Sequence, residues 1–262
     1  MSLREQISGV VCGALEPLPD VLAGWEGGSA AFGAVDSYSD IDLFFLVNDN
    51  ASFDHLYATV ASSLRELSPI TLCHDGAAGR YYQLKAAGEY LLVDLCLLRV
   101  SAPDRYLDVE RHGRVRPLFD KGEWLRPRSP ELATVANKRE ERRHELQEWF
   151  VESQIFVNKA IRRGHQAEAL AAYWGATLKP LAELLRMRYS PARWDFGMRY
   201  MHRDLPPATY EKFCDLMFVR DLMDLEAKRA AAGAWGAELL RELEPSGNLS
   251  SRDSRQRPGY SS

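Results

Sequence analysis

The stretch GGSAAFGAVDSYSDIDLFFLV, residues 27–47, decides how the first half of this chain folds. Its last seven residues, Ile41 to Val47, are Ile, Leu, Phe and Val apart from Asp42, and Asn48–Asp49–Asn50 follows them. A short apolar run closed by turn formers reads as a buried strand. Asp40 and Asp42 stand at the mouth of that strand, two residues apart. Alternation along a strand places both carboxylates on one face, where they repel unless a cation sits between them. All-oxygen ligands select hard cations, and magnesium with a phosphate-bearing substrate is the usual partner. Ahead of the aspartates, Gly27 and Gly28 allow close approach of backbone to a ligand. The turn they form leads toward a helix, so its N–H groups make an anion site to which the Ser29 hydroxyl adds a donor.

Working outward, residues 2–15 carry Leu3, Ile7, Val10, Val11 and Leu15 at helical spacing. Leu22 to Trp25 reads as a short strand. Residues 53–67 repeat the helical spacing behind a capping Ser52. Arg80 to Lys85 and Tyr90 to Val100 read as two strands of a hairpin turning at Ala86–Ala87–Gly88. Asp94 lies inside the second of these, in YLLVDLCLL, where a carboxylate is costly unless paired or metal-bound. Were this strand to lie beside that of Asp42, three carboxylates would converge. Val115 to Phe119 reads as an edge strand, the only place that tolerates Pro117.

After Pro127 and Pro130 the chain turns helical. Helices are expected over 131–163, 166–189 (kinked or split at Pro180), 207–232 and 234–244. From Pro245 the tail of Ser, Arg, Gly and Asn reads as disordered. The domain division is therefore 1–128, 129–244 and 245–262. The aromatic, basic stretch YSPARWDFGMRYMHRDLP, residues 189–206, fits either a loop over a ligand or a packing element between helices.

Composition narrows the function classes. The chain has 262 residues, 46% hydrophobic and 27% charged, with a formal net charge of −4. That balance argues against gripping a long nucleic acid. No apolar run is long enough to span a bilayer, and the N-terminus lacks a signal-peptide pattern, so the expectation is a cytoplasmic protein without a membrane partner. Cys12, Cys73, Cys96 and Cys214 form no CxxC pair, and three of the four read as small core residues. None of the six histidines shows metal-ligand spacing.

The span from Gly27 to Val47, with Asp94, resembles the nucleotidyltransferase superfamily typified by DNA polymerase β. The helical second half makes it most similar to bacterial antibiotic nucleotidyltransferases, of the aminoglycoside and lincosamide kind. The resemblance implies an α+β fold: an N-terminal mixed β-sheet flanked by helices, followed by a C-terminal helical bundle. It further implies an enzyme moving a nucleoside monophosphate, AMP by expectation, from a nucleoside triphosphate to a hydroxyl acceptor with release of pyrophosphate. The acceptor class it suggests is a small molecule. A protein or tRNA acceptor, or a non-catalytic nucleotide sensor, are the other readings. By the same resemblance Gly28 and Ser29 would meet the triphosphate, and Asp40 and Asp42 would bind magnesium, two ions in all. Asp94 would bind the second ion or act as catalytic base. Lys159, in FVNKAIRRG, would add a cation for the triphosphate.

Overall fold

The computed structural model describes residues 1–102, 105–126 and 132–244, with the backbone alone of residues 132 and 133. The chain divides into two compact units, Met1–Pro130 and Glu131–Ser262. The boundary expected near residue 128 and the tail expected from Pro245 lie outside the described residues.

The first unit is an α+β layer. Its strands are β1 (Val21–Glu26), β2 (Ile41–Val47), β3 (Ile70–Asp75), β4 (Arg80–Leu84), β5 (Leu92–Arg99) and β6 (Arg116–Asp120). They form one mixed sheet in the order β3-β4-β5-β2-β1-β6, with β2 and β5 parallel and every other pair antiparallel. The helices are α1 (Leu3–Leu15), α2 (Gly28–Ala31), α3 (Phe53–Leu67) and α4 (Val109–His112). Ser2 and Ser52 cap α1 and α3 through their hydroxyls, and in α1 Glu5 reaches back to complete a capping box.

Alternation decides the layering. Ile41, Leu43, Phe45 and Val47 point to one face and pack with Ile7, Val11 and Leu15 of α1 and Val60 and Leu64 of α3. Each of these is fully removed from water, worth about 1.5–3 kcal/mol per large aliphatic side chain. Asp42, Phe44 and Leu46 point to the other face. There Leu46 joins Ala23, Trp25 and Leu107 in a smaller cluster, and Phe44 stacks on Trp25 at 5.6 Å between ring centroids. The Asp42 end of that face stays half-exposed.

The second unit is helical: α5 (Leu132–Arg162), α6 (Gln166–Tyr173), α7 (Lys179–Tyr189), α8 (Met201–Asp204), α9 (Pro207–Met217) and α10 (Leu222–Glu242). A π-helical turn, Trp174–Leu178, joins α6 to α7. The break expected at Pro180 thus falls one turn earlier, and Pro180 sits in the first turn of α7, where the Ala176 carbonyl that its missing N–H leaves free accepts from Gln154 Nε2 instead. The helices expected at 207–232 and 234–244 are drawn differently. The chain breaks at residues 218–221, where Asp221 caps α10 by accepting from the Asp224 N–H. α10 then runs through Gly233 and Gly236 without interruption.

Strand β3 was not expected at all. It is an edge strand whose residues from Thr71 to Asp75 are all exposed, so it lacks the alternation that marks a half-buried strand. The cysteine reading also changes: only Cys96 is buried, while Cys12 and Cys214 are half-buried and Cys73 lies exposed on β3. Among the described residues no helix is long and apolar enough to cross a membrane.

The two glycines of α10 differ in a testable way. A Cβ at Gly236 would stand 2.2 Å from Cε1 of the buried Phe150 on α5, whereas at Gly233 it would meet nothing within 4 Å. Gly236→Ala should cost about 1–3 kcal/mol through overpacking. Gly233→Ala should gain about 0.5–1 kcal/mol. Urea denaturation of the two variants checks both signs.

Candidate active site

The parallel register of β2 and β5 sets Asp42 directly opposite Asp94. On the far side of β5, Tyr81 of β4 is opposite Asp94. Tyr81, Asp94 and Asp42 therefore form a row across three central strands, about 4.8 Å from strand to strand. All three are half-buried, so Asp94 is less deeply enclosed than its apolar neighbours in sequence suggest.

Beyond β2 the row continues into the glycine turn. The Gly27 N–H donates to the Asp42 carbonyl at 2.9 Å. Gly28 has φ +52, and a Cβ built on it would lie 1.8 Å from Asp42 Oδ2. Only glycine allows the backbone both this conformation and this approach. The Asp42 carboxylate is thus laid against the Gly28 backbone at the start of α2. Ser29 follows Gly28 in the turn, and its hydroxyl is buried with no hydrogen-bond partner among the described residues. An unsatisfied buried hydroxyl costs about 1–3 kcal/mol, and such orphans call for a ligand or a functional explanation.

Asp40 precedes β2, and its backbone is held from the α1 side. Arg4, in the first turn of α1, donates to the carbonyls of Ser39 (2.9 Å) and Asp40 (2.6 Å). The same guanidinium binds Glu26 Oε1 through Nε (3.2 Å) and Nη2 (2.9 Å). Arg116 of β6 reaches Glu26 Oε2 at 3.3 Å. Glu26 is 2% exposed and pairs in register with Leu43, on the face opposite Asp42. A buried carboxylate is tolerable here because Arg4 grips it closely. The sequence reading passed over this network. Its one signal was a glutamate ending the otherwise apolar run VLAGW.

Cys96 shares the Asp94 face. Burial first, and then the nearby Asp94 charge, push its thiol up to about 12, and its Sγ donates to the Ala78 carbonyl at 3.0 Å. It stays protonated at neutral pH and is no nucleophile. Lys159 lies exposed on α5, in the other unit, with no ion-pair partner among the described residues.

The donor set is one of hard oxygens, which suits magnesium. Among the described residues no group of three or more His, Cys, Asp or Glu side chains is placed to hold a metal ion. Two adjacent carboxylates beside an orphan hydroxyl nonetheless fit the usual magnesium arrangement, in which one or two carboxylates share the ion with substrate phosphates.

No protein-family model matches the chain, and no curated protein matches its sequence. Solved structures give distant likenesses. An aminoglycoside 6-adenyltransferase from Bacillus subtilis is 12% identical over 94% of each chain, with a TM-score of 0.31. The CdnE cyclic dinucleotide synthase of Elizabethkingia meningoseptica, determined with GTP and Apcpp, is 11% identical over 89% of this chain and 90% of that one, at 0.30. The STING-associated CdnE c-di-GMP synthase of Capnocytophaga granulosa is 16% identical over 92% and 81%, at 0.32. Likenesses this distant carry no argument about the site, which rests on its own residues.

The Glu26 network makes an ordered prediction. Arg4→Ala leaves a buried carboxylate with only the 63% exposed Arg116 and should cost about 3 kcal/mol. Arg116→Ala should cost under about 1 kcal/mol, as expected of an exposed partner. Chemical denaturation of both variants gives the ranking.

Proposed function

We propose that the chain is a magnesium-dependent nucleotidyltransferase that moves a nucleoside monophosphate from a nucleoside triphosphate to a hydroxyl acceptor. The observation that carries this reading is the convergence of three features in one place: Asp42 opposite Asp94, the Gly28 backbone against the Asp42 carboxylate, and the orphan Ser29 hydroxyl beside them. Together they combine cation-binding carboxylates with a phosphate-binding turn, a pairing that neither feature implies alone.

In this reading the Ser29 hydroxyl and the N–H groups of the Gly28–Ser29 turn hold the triphosphate. The first N–H groups of a helix have no intrahelical acceptor and so remain available to phosphate oxygens. Asp42 and Asp94 would hold magnesium, with Asp40 the further carboxylate of the set, and the metal would neutralise charge on the phosphates. Asp94 takes the proton of the acceptor hydroxyl. The acceptor oxygen forms a bond to the α-phosphorus, the bond from that phosphorus to the β-phosphate oxygen breaks, and pyrophosphate leaves. The turn and the row are held by backbone pairing, so orientation is set before substrate arrives.

ATP as donor and a small molecule as acceptor are the specific assignment. The net charge of −4 supports it against a polyanionic acceptor such as RNA. Pyrophosphate release by the purified chain, followed with each triphosphate, magnesium and a panel of hydroxylated small molecules, tests it. Asp42→Asn and Asp94→Asn should each lower turnover by about a thousandfold or more, and Ser29→Ala by about tenfold. Turnover unchanged in both aspartate variants, with folding intact by circular dichroism, would sink the assignment.

A further inference from the structure

The stretch 189–206 and the π-helical turn shape a cavity that the proposed chemistry does not use. It lies within the helical unit, measures about 480 Å³, and is lined by Trp174, Trp194, Met198, Lys179, Arg142 and Glu183 among others. Small-molecule sites span about 300–1,000 Å³ and are largely apolar with a few placed polar groups.

Both walls are fixed by buried polar side chains. On one side Arg186 is fully buried. Its guanidinium donates to the carbonyls of Gly197 (2.6 Å), Arg193 (3.2 Å) and Arg199, and to Asp204 Oδ2 at 2.7 Å. Arg193 grips the same Asp204. The loop is thereby wrapped around one arginine, with Gly197 and Tyr200 at positive φ, 59 and 60. Trp194 rests partly on the helical core. On the other side Thr177 Oγ1 donates to Gln154 Oε1 at 2.8 Å, and Gln154 Nε2 donates to the Ala176 carbonyl at 3.1 Å. Thr177 is fully buried and Gln154 nearly so, and together they stitch the π turn to α5. That turn carries Trp174, which is 39% exposed.

Burying an arginine–aspartate pair is a poor way to gain stability compared with apolar packing. Single π turns occur frequently at functional sites. Two such devices, each rigidifying one wall of the same cavity, describe a preorganised pocket.

The lining charges indicate the ligand. Arg142 is matched by Glu183 at 2.7 Å and Glu145 at 2.8 Å. Asp195 also lines the cavity and lies in the field of the Arg186 charge, whereas Lys179 has no hydrogen-bond or ion-pair partner among the described residues. Two indoles offer flat, polarisable surface for a ring, and Lys179 offers a point charge for an anion. We propose that this pocket binds a planar aromatic molecule bearing an anionic substituent, with the ring against Trp174 and Trp194 and the anion on Lys179.

Isothermal titration of the full chain with indole-3-acetate, 2-naphthoate and neutral indole-3-acetamide tests this. Both anions should bind with dissociation constants below about 1 mM, and the amide about tenfold more weakly. Lys179→Gln should erase the difference between acid and amide. Trp174→Leu should weaken all three about tenfold or more, with no loss of melting temperature because Trp174 is at the surface. Trp194→Phe, which keeps a ring against the core, should retain binding. Absence of binding by both anions overturns the pocket assignment, as does unchanged binding in Trp174→Leu. An amide that binds as tightly as the acid overturns the assignment of the anion.

Discussion

The parallel register between β2 and β5 places Asp42 opposite Asp94, and the rest of the candidate site is arranged around that fact. Side chains in a sheet alternate with a period of two, so a slip of one residue would turn Asp94 into the apolar core under α1 and α3. Ile41, Leu43, Phe45 and Val47 on one strand and Val93, Leu95 and Leu97 on the other prevent the slip, since each is buried on that face. The hydrophobic effect thereby fixes a polar geometry: aliphatic packing on one side of the sheet aligns the carboxylates on the other.

Two carboxylates opposite each other on adjacent central strands are unfavourable for folding alone. So is an orphan hydroxyl at Ser29, and so is a glycine turn pressed against a carboxylate. Sequences concentrate such local conflicts where function demands them and stabilise the surroundings to compensate. Here the surroundings include Arg4, whose guanidinium joins α1, the end of β1 and the loop before Asp40 in one cluster of hydrogen bonds. The helical unit repeats the pattern. Arg186 there orders a loop through three carbonyls and a carboxylate, and the loop gains a fixed shape that its own sequence could not enforce.

Much of the first unit was legible in the sequence because local and tertiary signals agree there. Ile41–Val47 is the strand that its apolar run predicts, Ser52 caps α3 as its position before the periodic run predicts, and Pro117 lies in an edge strand. The mixed sheet and helical bundle implied by the resemblance are likewise the observed α+β architecture. Strand β3 was not legible, since exposure on both faces removes the periodicity that a reader relies on. The single course of α10 was hidden because Gly233 reads as a breaker between 207–232 and 234–244. Only tertiary packing reveals that the next glycine, Gly236, is the residue admitting Phe150. Asp42, Asp94, Gly28 and Ser29 could be picked out as candidates, but their juxtaposition depends on strand order. Glu26 and Arg186 escaped for a related reason: a buried charge is recognisable only once its partners are in place.

A crystal structure of the protein with magnesium and a non-hydrolysable ATP analogue would test the central claim most directly. The account predicts a magnesium ion about 2.1 Å from carboxylate oxygens of Asp42 and Asp94, with the Ser29 hydroxyl donating to a phosphate oxygen of the same nucleotide. A triphosphate bound away from the Gly28–Ser29 turn, with no ion on either aspartate, would contradict it.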